Sequence, residues 1–166
     1  MMKKGFSIGG AFAAAMIVGA VGFVAVPAFS AGPADVVKQR QDAMKQLSDH
    51  MKAIKAFVDT GEGSAADIAR RAAEINATSG KIADLFPQGT SLDEISQPET
   101  GAKPEIWREF DKFKAAAGNL GELSQGLQQV AANGASREDI GAAFGKMGKE
   151  GCGGCHEPFR KKLEKK

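Results

Sequence analysis

Cys152-Gly153-Gly154-Cys155-His156 holds both cysteines of the chain and one of its two histidines. On a helix, residues 152, 155 and 156 stand at i, i+3 and i+4 and share a face. Two thiols can then add to the two vinyl groups of a haem while an imidazole reaches the iron from the same side. This C-x-x-C-H spacing is the attachment signature of c-type haem, and a proximal His is the common iron ligand. Gly153 and Gly154 present no side chain to the macrocycle, at a cost of about 1 kcal/mol each in helix stability. Three other chemistries use such residues. A thioredoxin-like redox pair needs a βαβ setting. A zinc site needs a fourth ligand, and His50 is the only other histidine. A disulfide closing so short a loop stabilises little. One such motif predicts one haem c, linked through Cys152 and Cys155 and ligated by His156.

The segments that must position this motif read as helices. Val37, Met44, Met51 and Val58 recur every seventh residue, with Leu47 and Ile54 between them. That is the a/d packing edge of a bundle helix over residues 34–58, stopped by Thr60-Gly61-Glu62-Gly63. Ser64 caps a second helix, with Asp67 in its first turn, running through Ile68, Ala72, Ile75 and Ala83 to Leu85. Residues 87–103 are rich in Pro, Gly, Thr and Ser and form a long connection. Pro104 suits the first turn of a third helix, whose stripe runs from Ile106/Trp107 through Phe110, Phe113, Leu120 and Leu127 to Asn133-Gly134. Ser136 caps a fourth, with Glu138 and Asp139 in its first turn, running to the C-terminus past Phe159 and Leu163. No segment alternates with period two. The expected fold class is all-α, an antiparallel four-helix bundle over residues 31–166. Gly141, Gly145 and Gly148 form a small-residue stripe before the motif, fit for close helix packing or for admitting a ring. Phe113, Phe144 and Phe159 are candidate pocket walls. His50 lies off the packing stripe and is expected to be exposed.

The chain has 166 residues, 43% of them apolar and 25% charged, with a formal charge of +2. This composition excludes a disordered chain, and the charge is too small to favour nucleic acid or a polybasic membrane contact. Residues 1–30 have a basic start, an apolar middle and small residues before a cut after Ser30, or after Ala28: a secretory signal peptide. A retained anchor is the other use of such a run. Cleavage leaves residues 31–166, and export of what reads as a bacterial chain places the protein in the periplasm. The 22 basic residues become 20 without Lys3 and Lys4, against 20 acidic ones. The remaining positive charge is local, in Arg160, Lys161, Lys162, Lys165 and Lys166 against Glu164, just beyond the motif, where an acidic redox partner could dock.

With a signal peptide, four amphipathic helices and a C-terminal CxxCH, the chain resembles the class II c-type cytochromes, the cytochromes c′ and the low-spin cytochromes c-556. Arg40-Gln41, Lys103-Pro104-Glu105-Ile106-Trp107, Ala143-Phe144-Gly145 and the stretch Cys152–Arg160 carry the likeness. Pro158 departs from it, standing where a helix former is expected and able to kink or end the last helix. The resemblance implies that the first-helix residue four after Arg40 decides the sixth iron position. That residue is Met44, the residue that ligates iron in the c-556 type. A non-ligating residue there leaves a five-coordinate iron that binds nitric oxide or carbon monoxide, with a role in nitric oxide tolerance. The resemblance also places Arg40 near the haem propionates and Arg160 near the proximal histidine, and implies a possible homodimer. Met44 and Met51 lie about 10 Å apart along the helix axis, and the family register selects Met44. His/Met ligation raises the reduction potential and fills both axial positions. The expectation is a one-electron carrier serving redox partner proteins, not an enzyme, with no nucleic acid partner and no membrane span after processing.

Overall fold

The computed structural model describes residues 32–163. The expected leader at 1–30 lies outside them, as do Lys165 and Lys166. Four rods make the bundle. The first is α1, Pro33–Thr60, and the second is α2, Ala65–Ser79. The third comprises a single turn, α3 (Glu105–Arg108), and α4 (Phe110–Ala132). The fourth is α5 (Arg137–Lys146), a π-helical stretch Met147–Gly153, and α6 (Gly154–Phe159). No strand occurs among the described residues, and the one bridge pairs Ala102 with Arg160. None of the described helices is long and apolar enough to cross a membrane.

Local signals set most of the ends. Ser64 accepts from the Asp67 N–H and Ser136 from the Asp139 N–H, each at 3.1 Å, satisfying helix-start donors as expected. Gly61 ends α1 in the left-handed region (φ 80°) and its N–H returns to the Phe57 carbonyl at 2.8 Å.

Three rods differ from the sequence expectation. The second helix stops at Ser79, and Ala83–Leu85 form a separate 3₁₀ turn rather than its last turn. The third is broken at Glu109 (φ −124°, ψ 43°). There the Trp107 indole N–H donates to the Phe86 and Pro87 carbonyls at 2.9 and 3.0 Å, fastening α3 to the connection instead of to a straight rod. The fourth does not reach the C-terminus through Leu163. It ends at Phe159, and Arg160 is extended. Pro158 lacks an N–H, so the last turn closes through the Arg160 N–H to the His156 carbonyl at 3.1 Å.

The core is one continuous cluster. Ile54, Ile68, Ile75, Leu127, Ile140 and Met147 are buried where the four rods meet. Phe86, Phe113 and Phe159 form an edge-on aromatic cluster near the motif, with ring centroids 4.6 and 5.4 Å apart. The long connection is anchored inside. Arg40 of α1, 5% exposed, donates through Nε and Nη2 to the Leu85 carbonyl at 3.1 and 2.9 Å. Its Nη2 also reaches Thr90 Oγ1 at 2.8 Å, and its Nη1 reaches the Thr90 carbonyl at 3.2 Å and Thr100 Oγ1 at 3.4 Å. The guanidinium lies 3.9 Å over the Phe86 ring.

Gly151 in the π-helical stretch meets α4 closely. A Cβ there would stand 3.0 Å from Leu120 Cδ1 and 3.3 Å from Leu120 Cα, whereas a Cβ on Gly145 would meet nothing within 4 Å. Gly151→Val should therefore cost about 1–3 kcal/mol through overpacking, while Gly145→Ala should be neutral or stabilising by up to about 1 kcal/mol. Urea titration of the holoprotein checks both. Arg40→Leu removes every donor to the Leu85 and Thr90 carbonyls at a buried position. Each orphaned acceptor costs about 1–3 kcal/mol, so the same titration should show a loss of about 3 kcal/mol or more.

Candidate haem site

The π-helical winding of residues 147–153 makes Cys152 the next-to-last residue of a widened turn, and Cys155 and His156 fall in the first turn of α6. The α-helical continuity assumed from the spacing is absent, but all three side chains still line one cavity. The π-helix, with its i to i+5 bonding, recurs at functional sites. Here it delivers the motif while Gly151 lies against Leu120.

The cavity is about 430 Å³, within the range of cofactor pockets. Its walls are mostly apolar. Met44, Leu47 and Met51 contribute from α1, Phe113, Ala116 and Leu120 from α4, and Ile82 and Phe86 from the connection. Arg40 and Arg160 line it as well, so all six residues singled out in the sequence meet there.

Electrostatics match the chemistry. Burial pushes the Cys152 thiol up, and burial followed by the neighbouring Cys152 pushes Cys155 to about 11. Both are neutral thiols at pH 7, and neither is paired in a disulfide. Burial and then the Arg160 charge pull His156 below its usual value. The neutral imidazole, the form that ligates metals, is thereby favoured. Burial also pulls Arg40 down to about 10, which leaves it cationic at neutral pH with no carboxylate partner among the described residues. A paired-thiol wall, a neutral imidazole, an apolar slot and an uncompensated buried cation fit a haem with its propionates. Among the described residues, no group of three or more His, Cys, Asp and Glu is arranged to hold a metal ion directly.

Several placements correct the sequence reading. Arg40, which the resemblance places near the haem propionates, is a buried clamp on the connection as well as a residue of the cavity wall. Its five N–H donors, the full complement of a guanidinium, are all taken by oxygens of residues 85–100. Arg160 is exposed at the rim. Met51 lines the same cavity as Met44. His50 is half-buried rather than exposed, lies outside the cavity lining, and pairs through Nε2 with Glu74 of α2 at 3.1 Å. Phe113 and Phe159 are wall residues, but Phe144 is not. Gly141 packs against Val58, and Gly145 faces open space. The sequence reading missed Phe86, Thr100, Gly101, Ala102 and Gly151 as wall residues. Only Gly151 carried a local hint, its position next to Cys152.

A family model described as Cytochrome C′ matches residues 35–160. A cytochrome c′ from Pararhodospirillum photometricum is 35% identical over 130 residues, covering 78% of this chain and 99% of that protein. A cytochrome c-556 from Agrobacterium tumefaciens (strain II Chrys) is 31% identical over 127 residues, covering 76% and 97%. A solved cytochrome c′, described as having an unusual ligand-controlled dimer dissociation, superposes with a TM-score of 0.71 at 28% identity, covering 80% of this chain and 99% of that one. With its helical bundle and its CxxCH cavity, this chain belongs to the cytochrome c′ family and carries covalent haem c.

Proposed function

We propose that the protein is an exported, periplasmic one-electron carrier whose single haem c is six-coordinate, with His156 and Met44 as axial ligands. The observation that carries this reading is the presence of Met44 of α1 in the lining of the same cavity as Cys152, Cys155 and His156. When bound, haem supplies a one-electron iron couple. The chain's own residues do the rest. Cys152 and Cys155 hold the group by thioether bonds. His156, kept neutral by burial, offers its nitrogen from the attachment side. Met44 offers a thioether sulfur, and the His/Met pair raises the potential. The apolar wall of Leu47, Phe113 and Leu120 excludes water. Arg40 acts on the propionates as a fixed positive charge, because its N–H groups are already committed to the connection. Arg160 adds a second charge beside His156 and the rim. With both axial positions filled, no substrate reaches the iron, so the protein is a carrier and not an enzyme.

A second reading is a five-coordinate protein that binds nitric oxide or carbon monoxide. Its support is the cytochrome c′ naming of relatives at least as similar as the c-556 proteins. The ferric optical and magnetic spectra separate the two. The first reading requires a low-spin spectrum with a sulfur-to-iron band in the far red, and a high-spin spectrum overturns it. Met44→Ala should make the ferric protein high-spin and let the reduced protein take up carbon monoxide readily at neutral pH. The mass of the exported protein checks the leader. It should correspond to a chain starting at Ala31 plus one covalent haem, and retention of residues 1–30 would refute cleavage.

A further inference from the structure

The basic residues at the cavity mouth are arranged by the backbone. The Lys103 N–H donates to the Phe159 carbonyl at 3.1 Å and the Lys161 N–H to the Gly101 carbonyl at 2.8 Å, on either side of the Ala102–Arg160 bridge. The approach is so close that a Cβ on Gly101 would overlap the Lys161 carbonyl. This short antiparallel contact holds Lys103, Arg160 and Lys161 together, with Lys162 next in the chain. Arg160 and Leu163 line the cavity itself. Leu163 is also an exposed large apolar side chain, at 37%.

Charge pairing separates this edge from the α1 wall. On α1, Lys38, Lys45, Lys52 and Lys55 each face an aspartate on their own helix. Lys103, Arg160, Lys161 and Lys162 make no ion pair among the described residues. The Lys103 ammonium rests on the neutral carbonyls of Pro158 and Glu157 at 3.1 and 3.5 Å, which leaves its charge uncompensated. Glu105, the carboxylate nearest Lys103 along the chain, pairs with Arg108 at 3.3 Å, Glu99 and Glu157 are exposed, Glu164 is outnumbered in the sequence by Lys165 and Lys166, and the edge retains a positive excess.

We infer that this edge, together with the exposed Leu163, is the docking surface for an acidic redox protein. The proposal rests on the carrier reading and names the chemistry of the partner. Local patches of one sign steer an oppositely charged partner and set its orientation. Docking here would bring the partner to the cavity mouth. The whole molecule predicts the opposite preference. Residues 31–166 carry 20 basic and 20 acidic side chains, and the haem propionates add negative charge. A steering effect of positive sign therefore has to come from the patch.

The test uses the reduced holoprotein in stopped flow, oxidised by ferricyanide and, in parallel, by the cationic tris-phenanthroline cobalt(III) complex. With ferricyanide the rate should fall about threefold or more as ionic strength rises from about 0.01 to 0.1 M, where the Debye length shrinks from about 30 to about 10 Å. With the cobalt complex it should stay level or rise. Polyglutamate should slow the ferricyanide reaction. The double variant Lys161→Glu, Lys162→Glu should lose the salt dependence and the polyglutamate effect while keeping the wild-type optical spectrum. A ferricyanide rate that is flat or rises with salt overturns the proposal. So does a double variant with the wild-type slope, and so does a salt effect without polyglutamate inhibition, which would mark a small-anion effect only. The ferric spectrum of the same sample reports the coordination separately, so failure of the carrier reading is distinguishable from failure of the docking surface.

Discussion

The arrangement depends on one buried cation. Arg40 sits near the start of α1, far in sequence from the haem-attachment motif, yet its guanidinium holds the connection between the second and third rods through five hydrogen bonds and an aromatic face. Burying a charge is costly unless its donors are satisfied. Here neutral carbonyls and hydroxyls satisfy them and leave the charge itself uncompensated. The clamp and the electrostatic role are thus one feature. The oxygens that make burial tolerable also fold residues 85–100 over the cavity, and the residual charge favours an anionic group beside it.

The haem-bearing rod meets a different constraint. It has to bring a thiol pair and an imidazole to the cavity while packing on α4. A regular helix through Gly151 would keep one winding throughout. The protein instead widens to a π-helical stretch over Met147–Gly153 and resumes α-helix at Gly154. The absence of a side chain at Gly151 lets that stretch lie against Leu120. The rod then ends at Phe159, just past Pro158, and Arg160 pairs with Ala102. Beyond Pro158 the chain runs extended at Arg160, and Arg160 and Lys161 lie against Gly101 and Ala102 rather than continuing as helix.

Legibility in the sequence followed the range of the interactions. The stops at Gly61 and Asn133-Gly134 and the caps at Ser64 and Ser136 depend on neighbours within a few residues, and they stand where the spacing placed them. Helix breaks at Ser79 and Glu109 were not legible. They depend on a connection that folds inward, and nothing local distinguishes a buried Thr90 or Thr100 from a solvated one. The clamp that Arg40 makes on the connection was not legible for the same reason. An isolated arginine on an amphipathic helix reads as surface charge until its acceptors arrive from 45 to 60 residues away. Phe144 and Gly145 misled in the other direction, whereas Gly141 does make the close helix packing its stripe allowed, against Val58; periodicity assigns a face but not which neighbour occupies it.

The sequence by itself determined the attachment chemistry and the all-helical class. Both rest on short-range patterns, the C-x-x-C-H motif and the seven-residue packing stripe, although a π-helical stretch and α6 deliver the motif in place of one regular helix. Only the tertiary structure decided that Met44 and Met51 share one cavity, that Arg40 is buried and saturated, and that Lys103, Arg160 and Lys161 are drawn together with no ion pair among the described residues. Those outcomes are set by burial and by contacts between segments distant in the chain, and the free energy of a buried charge or an apolar wall depends on what surrounds it rather than on its own position in the sequence.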